Sequence, residues 1–146
     1  MELSNKSEYA LLALLELASC YSTGESLQIR QIAALQDIPN RYLEQLLATL
    51  RRGGLIKSIR GAKGGYVLAR DPRKITILDA FSCIEGSDVP ASSPDDTSPT
   101  TVESDVIHEV WQEARQAAYS VMQNYTLQDL CERRAVRRNM ELMYYI

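Results

Sequence analysis

Histidine occurs once in these 146 residues, tryptophan and phenylalanine once each, and cysteine three times. A single histidine with no recognisable catalytic spacing leaves little from which to build a nucleophile and base or a metal-activated water, so an enzyme is not expected. Cys20, Cys83 and Cys131 are odd in number and far apart, which is neither a disulfide framework nor a paired-cysteine metal knuckle. No stretch approaches the ~20 uninterrupted apolar residues of a membrane span, and no basic-then-apolar export pattern opens the sequence. A cytoplasmic protein with no membrane association is therefore expected. At 45% hydrophobic residues the chain can bury a core, as one small domain plus an extension.

Positive charge is outnumbered overall, 16 basic against 19 acidic residues, and concentrated in one segment. The formal net charge is −3, yet Arg41 to Lys74 holds nine basic residues against two acidic ones, while Ile75 to Ile146 holds five basic against twelve acidic. An acidic protein with one confined basic segment has the electrostatic footprint of phosphate binding on one face, the acidic half turned away. Within that segment Leu43, Leu46, Leu47 and Leu50 recur at i, i+3, i+4, i+7, which predicts a helix with one buried stripe. Arg41, Glu44, Gln45 and Ala48 then face outward. The preceding Asp37-Ile38-Pro39-Asn40 reads as a turn, with Pro39 in the first turn of the helix, where its missing N–H costs nothing. Before it, a short helix carries Ile29, Ile32, Ala33 and Leu35 inward and leaves Arg30, Gln31 and Gln36 outward. Two helices joined this way form a helix-turn-helix, whose second helix offers its N-terminal end to base edges.

Gly53-Gly54 ends that helix. Leu55 to Arg60 and Tyr66 to Arg70 then read as two strands of a hairpin closed by Gly61-Ala62-Lys63-Gly64-Gly65, whose glycines permit positive φ and close approach to a phosphate. The same five residues lack the Gly-Lys-Ser/Thr ending of a nucleotide-phosphate loop. Upstream, Asn5-x-x-Glu8 reads as a capping box for an apolar central helix from about Lys6 to Tyr21, ended by Gly24. Downstream, Thr76 to Ile84 reads as a short helix burying Ile77, Ala80, Phe81 and Ile84.

Thirteen of the sixteen residues from Ser87 to Val102 are Ser, Asp, Pro or Thr, a composition expected of a flexible loop. Thr100-x-x-Glu103 then reads as a capping box for a long helix in which Ile107, Trp111, Ala114, Ala118, Val121 and Tyr125 alternate four and three residues apart. That spacing predicts a seam for a second copy of the chain from Glu103 to Gln123, the alternative being that the stripe packs on its own domain. The expected fold is mainly α with a small β-hairpin wing: a winged helix-turn-helix domain (residues 1–86), a flexible loop (87–102), and a dimerisation helix with a C-terminal helix (103–146).

Several motifs together resemble one bacterial family. Tyr42-Leu43-Glu44-Gln45-Leu46, Leu50-Arg51, Gly54-Leu55, Arg60-Gly61, Gly64-Gly65-Tyr66 and the opening Leu3-Ser4-x-x-x-x-Tyr9-Ala10 resemble the winged-helix transcription regulators that include IscR and CymR, and the likeness returns in His108-x-x-Trp111 and Tyr125-Thr126-Leu127-x-x-Leu130. The resemblance implies a homodimer on double-stranded DNA, with paired long helices, recognition helices in successive major grooves and a wing arginine in the minor groove. It also implies that Tyr42, Glu44, Gln45 and Arg60 contact DNA. Helix geometry adds Arg41, and the hairpin adds Lys63. A lone arginine at a glycine hairpin has little structural role, and narrow minor grooves attract arginine. The bland readings are a surface-packed aromatic for Tyr42 and a solvated helix end for Arg51 and Arg52.

Cluster-bearing members of that family carry three closely spaced cysteines before the long helix. Here Asp88 to Asp105 contains none, although His108 stands in the same relation to Trp111. An iron–sulfur cluster needs thiolates or imidazoles close together, so no cofactor is expected, and a small-molecule or protein effector is the expected signal. The rival is a cluster or metal held unconventionally by His108, Cys83 and Cys131. A protein-interaction adaptor on the same fold is the alternative to a DNA-reading function.

Overall fold

A computed structural model describes residues 3–86 and 101–144. Six helices and one hairpin follow in the order α1 (Asn5–Ser19), α2 (Ile29–Gln36), α3 (Asn40–Arg52), β1 (Ile56–Ile59), β2 (Gly65–Leu68), α4 (Ile77–Glu85), α5 (Val102–Asn124) and α6 (Leu127–Tyr144), with a 3-10 turn at Pro72–Lys74 before α4. The arrangement is the winged helix-turn-helix expected, mainly α with a two-stranded antiparallel wing. The loop expected at 87–102 lies almost wholly outside the described residues.

α1 occupies the centre because it is apolar on most sides. Ala10, Ala13, Leu14, Leu17 and Ala18 are buried, and the helix packs against α2, α3, α4, α6 and β2. The leucine stripe of α3 is the other half of the core: Leu43, Leu46, Leu47 and Leu50 are each 4% exposed or less. The turn between α2 and α3 rests on Asp37, which ends α2 in the left-handed conformation (φ 52°) that its short polar side chain tolerates. Ile38 then drops into the core and anchors the turn.

Five local expectations are corrected. The cap of α1 is Ser4, not Asn5: its hydroxyl accepts from Ser7 N at 3.1 Å and also donates to the Glu85 carboxylate, a tertiary tie invisible in the local pattern. Gly24 does not end α1, which stops at Ser19. Gly24, at φ 73°, closes the turn that follows. In α2 Leu35 is 59% exposed and Gln36 turns in to donate to Glu16 Oε1 at 2.5 Å. The helix is so short that Ile29, Ile32, Ala33 and Gln36 complete its inner stripe, and Leu35 falls beside it. Pro39 is the N-cap of α3, with ψ 130°, rather than its first helical residue. The cap of α5 is Thr101, whose hydroxyl accepts from Ser104 N at 3.1 Å.

Two backbone bridges were not legible in the sequence. Leu27 pairs with Tyr66 and ties the base of the wing to the entrance of α2, with N···O distances of 3.0 and 2.7 Å. Gly65 permits this approach, since a Cβ there would meet Leu27 O at 2.6 Å, and its φ of 156° suits glycine. Thr76 pairs with Thr126, joining the segment before α4 to the break between α5 and α6. Each threonine heads a capping box, Thr76 with Asp79 and Thr126 with Asp129, so both helices begin side by side with their first N–H groups satisfied. Leu127, fully buried, starts α6 inside the core.

α6 is held to α1 further along by a partly buried ion pair. Arg134 Nη1 lies 2.9 Å from Glu16 Oε1, and the same guanidinium also donates to Ser19 Oγ. Glu16 is 8% exposed and receives Gln36 as well, so its carboxylate is satisfied from two helices.

Candidate nucleic-acid interface

The outward face of α3 follows from helix periodicity. At ~100° per residue, Arg41 and Ala48 lie on the crest opposite the leucine stripe, Asn40 and Glu44 on one flank, and Tyr42, Gln45 and Thr49 on the other. The structure agrees. Asn40 and Glu44 line a groove shared with the wing, whereas Tyr42, Gln45 and Thr49 line one shared with α1. Tyr42 stands 57% exposed.

The wing is a four-residue ladder in which Ile56 faces Leu68 and Ile59 faces Gly65. Leu55, Ile56 and Leu68 anchor it in the core, and Arg60, Gly61, Ala62 and Lys63 project at its exposed tip. Gly61, at φ 110°, makes the turn, and Gly64 N closes it onto Gly61 O at 2.9 Å. Ser26 donates to Lys63 O at 2.6 Å, a second tie between the wing and the chain entering α2. The predicted residues thus fall in two groups: Arg41, Tyr42, Glu44 and Gln45 on α3, Arg60 and Lys63 on the wing, all exposed.

The positive charges of this region divide by role. Arg73 is engaged by Asp71, at 2.9 Å, and Arg70 lies 3.9 Å from Asp79. The Arg73 guanidinium, through its hydrogen bonds, holds the Asp71 carboxyl down to about 2. Arg52 donates to Thr49 Oγ1. Arg41, Arg60 and Lys63 have no such side-chain partner among the described residues and are available to an anion.

The candidate metal ligands lie in separate settings. His108 sits on exposed α5 with Nδ1 2.7 Å from Ser104 O, an arrangement in which Nδ1 donates and Nε2 faces away. Cys83 Sγ is 3.5 Å from Thr49 O and packs so closely on the end of α3 that a Cβ at Gly53 would meet it at 2.3 Å. Burial pushes the Cys20, Cys83 and Cys131 thiols up, which disfavours the thiolate a metal requires. Among the described residues no three histidine, cysteine, aspartate or glutamate side chains converge to hold a metal ion. Among the described residues this donor set lacks the converging thiolates or imidazoles that an iron–sulfur cluster needs.

The seam residues of α5 differ in exposure. Ile107, Trp111 and Val121 are 67, 57 and 56% exposed, and Ala114 is exposed too. Ala118 and Tyr125 are half-buried against the chain itself, where Arg133 stacks over the Tyr125 ring at 4.7 Å.

A buried-stripe helix-turn-helix with a core-anchored, basic-tipped wing defines a winged-helix DNA-binding protein. A family model for Rrf2, described as an iron-dependent transcriptional regulator, matches residues 3–133. The chain is 38% identical over 130 residues to the HTH-type transcriptional regulator CymR of Bacillus subtilis, covering 89% of both proteins. It is 41% identical over 86 residues to IscR of Cereibacter sphaeroides, covering 58% of this chain and 56% of that protein. Among solved structures it is similar to T. potens IscR (36% identity, 90% of this chain, 87% of that one) and to CymR, the global cysteine regulator of B. subtilis (36%, 90 and 97%), each with a TM-score of 0.74. The chain belongs to the Rrf2 family, and it is a DNA-binding transcriptional regulator rather than an enzyme. Among the described residues no helix is long and apolar enough to cross a membrane.

Proposed function

We propose that this regulator acts in the cytoplasm as a homodimer, joined through Ile107, Trp111, Ala114, Ala118, Val121 and Tyr125, and reads DNA with Arg41, Tyr42, Glu44, Gln45, Arg60 and Lys63. The observation that carries the reading is the uncovered stripe of α5, with Ile107 at 67% and Trp111 at 57% exposure beside a fully formed winged domain. Large apolar side chains repeated along one helix face call for a covering surface. A second copy would supply it and double the phosphate contacts. On the bound duplex, α3 would enter the major groove and Arg60 the minor groove, where the negative potential favours a guanidinium. Glu44 would accept from a cytosine amino group or orient a neighbouring arginine.

Signal input is assigned to residues 87–102 and the start of α5. A ligand or protein effector would bias the half-site spacing by favouring one arrangement of the dimer. The family's description as iron-dependent keeps one competing reading, a metal held with His108, Cys83 or Cys131. Iron and sulfide analysis of anaerobically purified protein separates them: colourless protein that binds DNA supports the effector reading, and stoichiometric iron lost in His108→Ala or Cys131→Ser overturns it. For the interface, Arg60→Ala should weaken binding to a selected duplex by about 1–3 kcal/mol with the fold intact. Unchanged affinity removes the wing from the reading, and a native chain that sediments as a monomer at micromolar concentration removes the dimer.

A further inference from the structure

The recognition helix lies between two grooves, one on each flank. On the wing side, adjoining grooves of about 870 and 510 Å³ share Gln28, Arg30, Ile59 and Gly64. On the α1 side, a groove of about 530 Å³ runs between Lys6 and Tyr9 on one wall and Tyr42 and Gln45 on the other. An α-helix with its side chains is ~10–12 Å across, and the major groove of B-DNA is about 12 Å wide, so a helix seated there has a sugar–phosphate strand along each flank.

Resting on the DNA-binding reading, we propose that these grooves receive the two strands of the bound duplex, and that Arg30 on the wing side and Lys6 on the α1 side are phosphate contacts, one for each strand. Arg30 is exposed on the first turn of α2, and its Nε donates to Gln28 Oε1 at 3.0 Å, which steadies the guanidinium over the groove. The base of that groove is fixed by the Leu27–Tyr66 bridge, so its width does not depend on a free-swinging wing. Among the described residues that line it, Glu25 and Glu44 are the carboxylates and Arg30 and Lys63 the cations. Among the described residues the α1 groove is lined by Lys6, and the phenol of Tyr42 and the amide of Gln45 offer further donors at its edge. Both cations lie outside the basic segment of residues 41–74, and only the tertiary structure carries them to the flanks of α3. Neither has a base edge within the path assigned to it, so both contribute affinity and register rather than sequence choice.

The test measures the Kd of the full-length protein over a series of salt concentrations, for a duplex selected from a random pool by the native chain and for an unrelated duplex of equal length. Lys6→Ala and Arg30→Ala should each flatten the salt slope by about 0.9 per bound chain, weaken both duplexes by the same factor and leave their affinity ratio unchanged. Arg30→Lys should restore the slope, and ethylation interference should assign the two losses to opposite strands. Unchanged slopes alongside a weakened Arg60→Ala variant overturn this inference and leave DNA binding standing. A change in the affinity ratio also overturns it, since it makes the residue a base reader. A native chain that binds neither duplex removes this inference and the DNA-binding reading together.

Discussion

Helices α3 and α5 carry apolar stripes written in similar spacing, and the molecule treats them in opposite ways. In α3 the four leucines at i, i+3, i+4, i+7 are 4% exposed or less, while in α5 Ile107, Trp111 and Val121 remain more than half exposed. One stripe finds its complement within the chain, in α1, β1 and α4. The other belongs to a helix that packs against α4, yet its large apolar side chains stay exposed. Periodicity therefore says that a face will be covered, and not by what. The folded regulator buries one stripe in its reading head and leaves the other looking outward on α5.

The sharpest way to break the contrast is to damage the covered stripe. Leu47→Ala removes a fully buried side chain and should cost about 2–5 kcal/mol of stability, seen as a lowered urea midpoint in the monomeric or dimeric protein alike. A loss below about 1 kcal/mol would mean that α3 is not held by its stripe.

The matching change on the uncovered face is Ile107→Glu. It should leave the circular dichroism of the chain unchanged and weaken the proposed homodimer on the order of a hundredfold or more, because each copy would bury an unpaired carboxylate. Sedimentation equilibrium unaffected by the substitution would move the interface elsewhere.

Away from both stripes, the Glu16–Arg134 pair holds α6 to α1, with side chains 11 and 20% exposed. Arg134→Ala removes the countercharge of a nearly buried carboxylate, leaving Gln36 as its donor, and should cost about 2 kcal/mol. Arg73→Ala, whose side chain is 75% exposed, should cost clearly less, because solvent screens the pair. Equal costs measured by denaturant unfolding would contradict the burial argument.

The smallest effect is in pH dependence. The Asp71 carboxyl is held down to about 2 by Arg73, against an ordinary value of 3.8, so its contribution is present above the ordinary value and lost as the pH falls through about 2. Asp71→Asn should remove that slope between about pH 4 and 2, with little change at neutral pH, in acid-unfolding curves followed by tyrosine fluorescence. An unaltered slope would assign the acid response to other carboxylates.

Much of the reading head was legible because its signals are local. The leucine stripe of α3, the Asp37-Ile38-Pro39 turn and the glycine hairpin each lie within a few residues, and each is fixed by backbone geometry that neighbours impose. The caps Ser4 and Thr101 each lie one residue from the position the local pattern favours, because adjacent polar residues compete for the same N–H groups. At Ser4, a distant Glu85 settled the choice. The exposure of Leu35 is not legible locally, because a two-turn helix has too few residues to define its own inner face.

By itself the sequence determined the order of the elements, the buried face of the recognition helix, the confinement of basic charge to its half of the chain and the absence of three cysteines before the long helix. Tertiary structure alone decided that Leu27 would close on Tyr66, Thr76 on Thr126 and Glu16 on Arg134, and that Lys6 and Arg30 would flank α3. The physical reason is range: helix periodicity and turn chemistry act over a few residues and repeat detectably, whereas a bridge or ion pair across up to 118 positions leaves no spacing in the sequence and forms only once the core has fixed which surfaces meet.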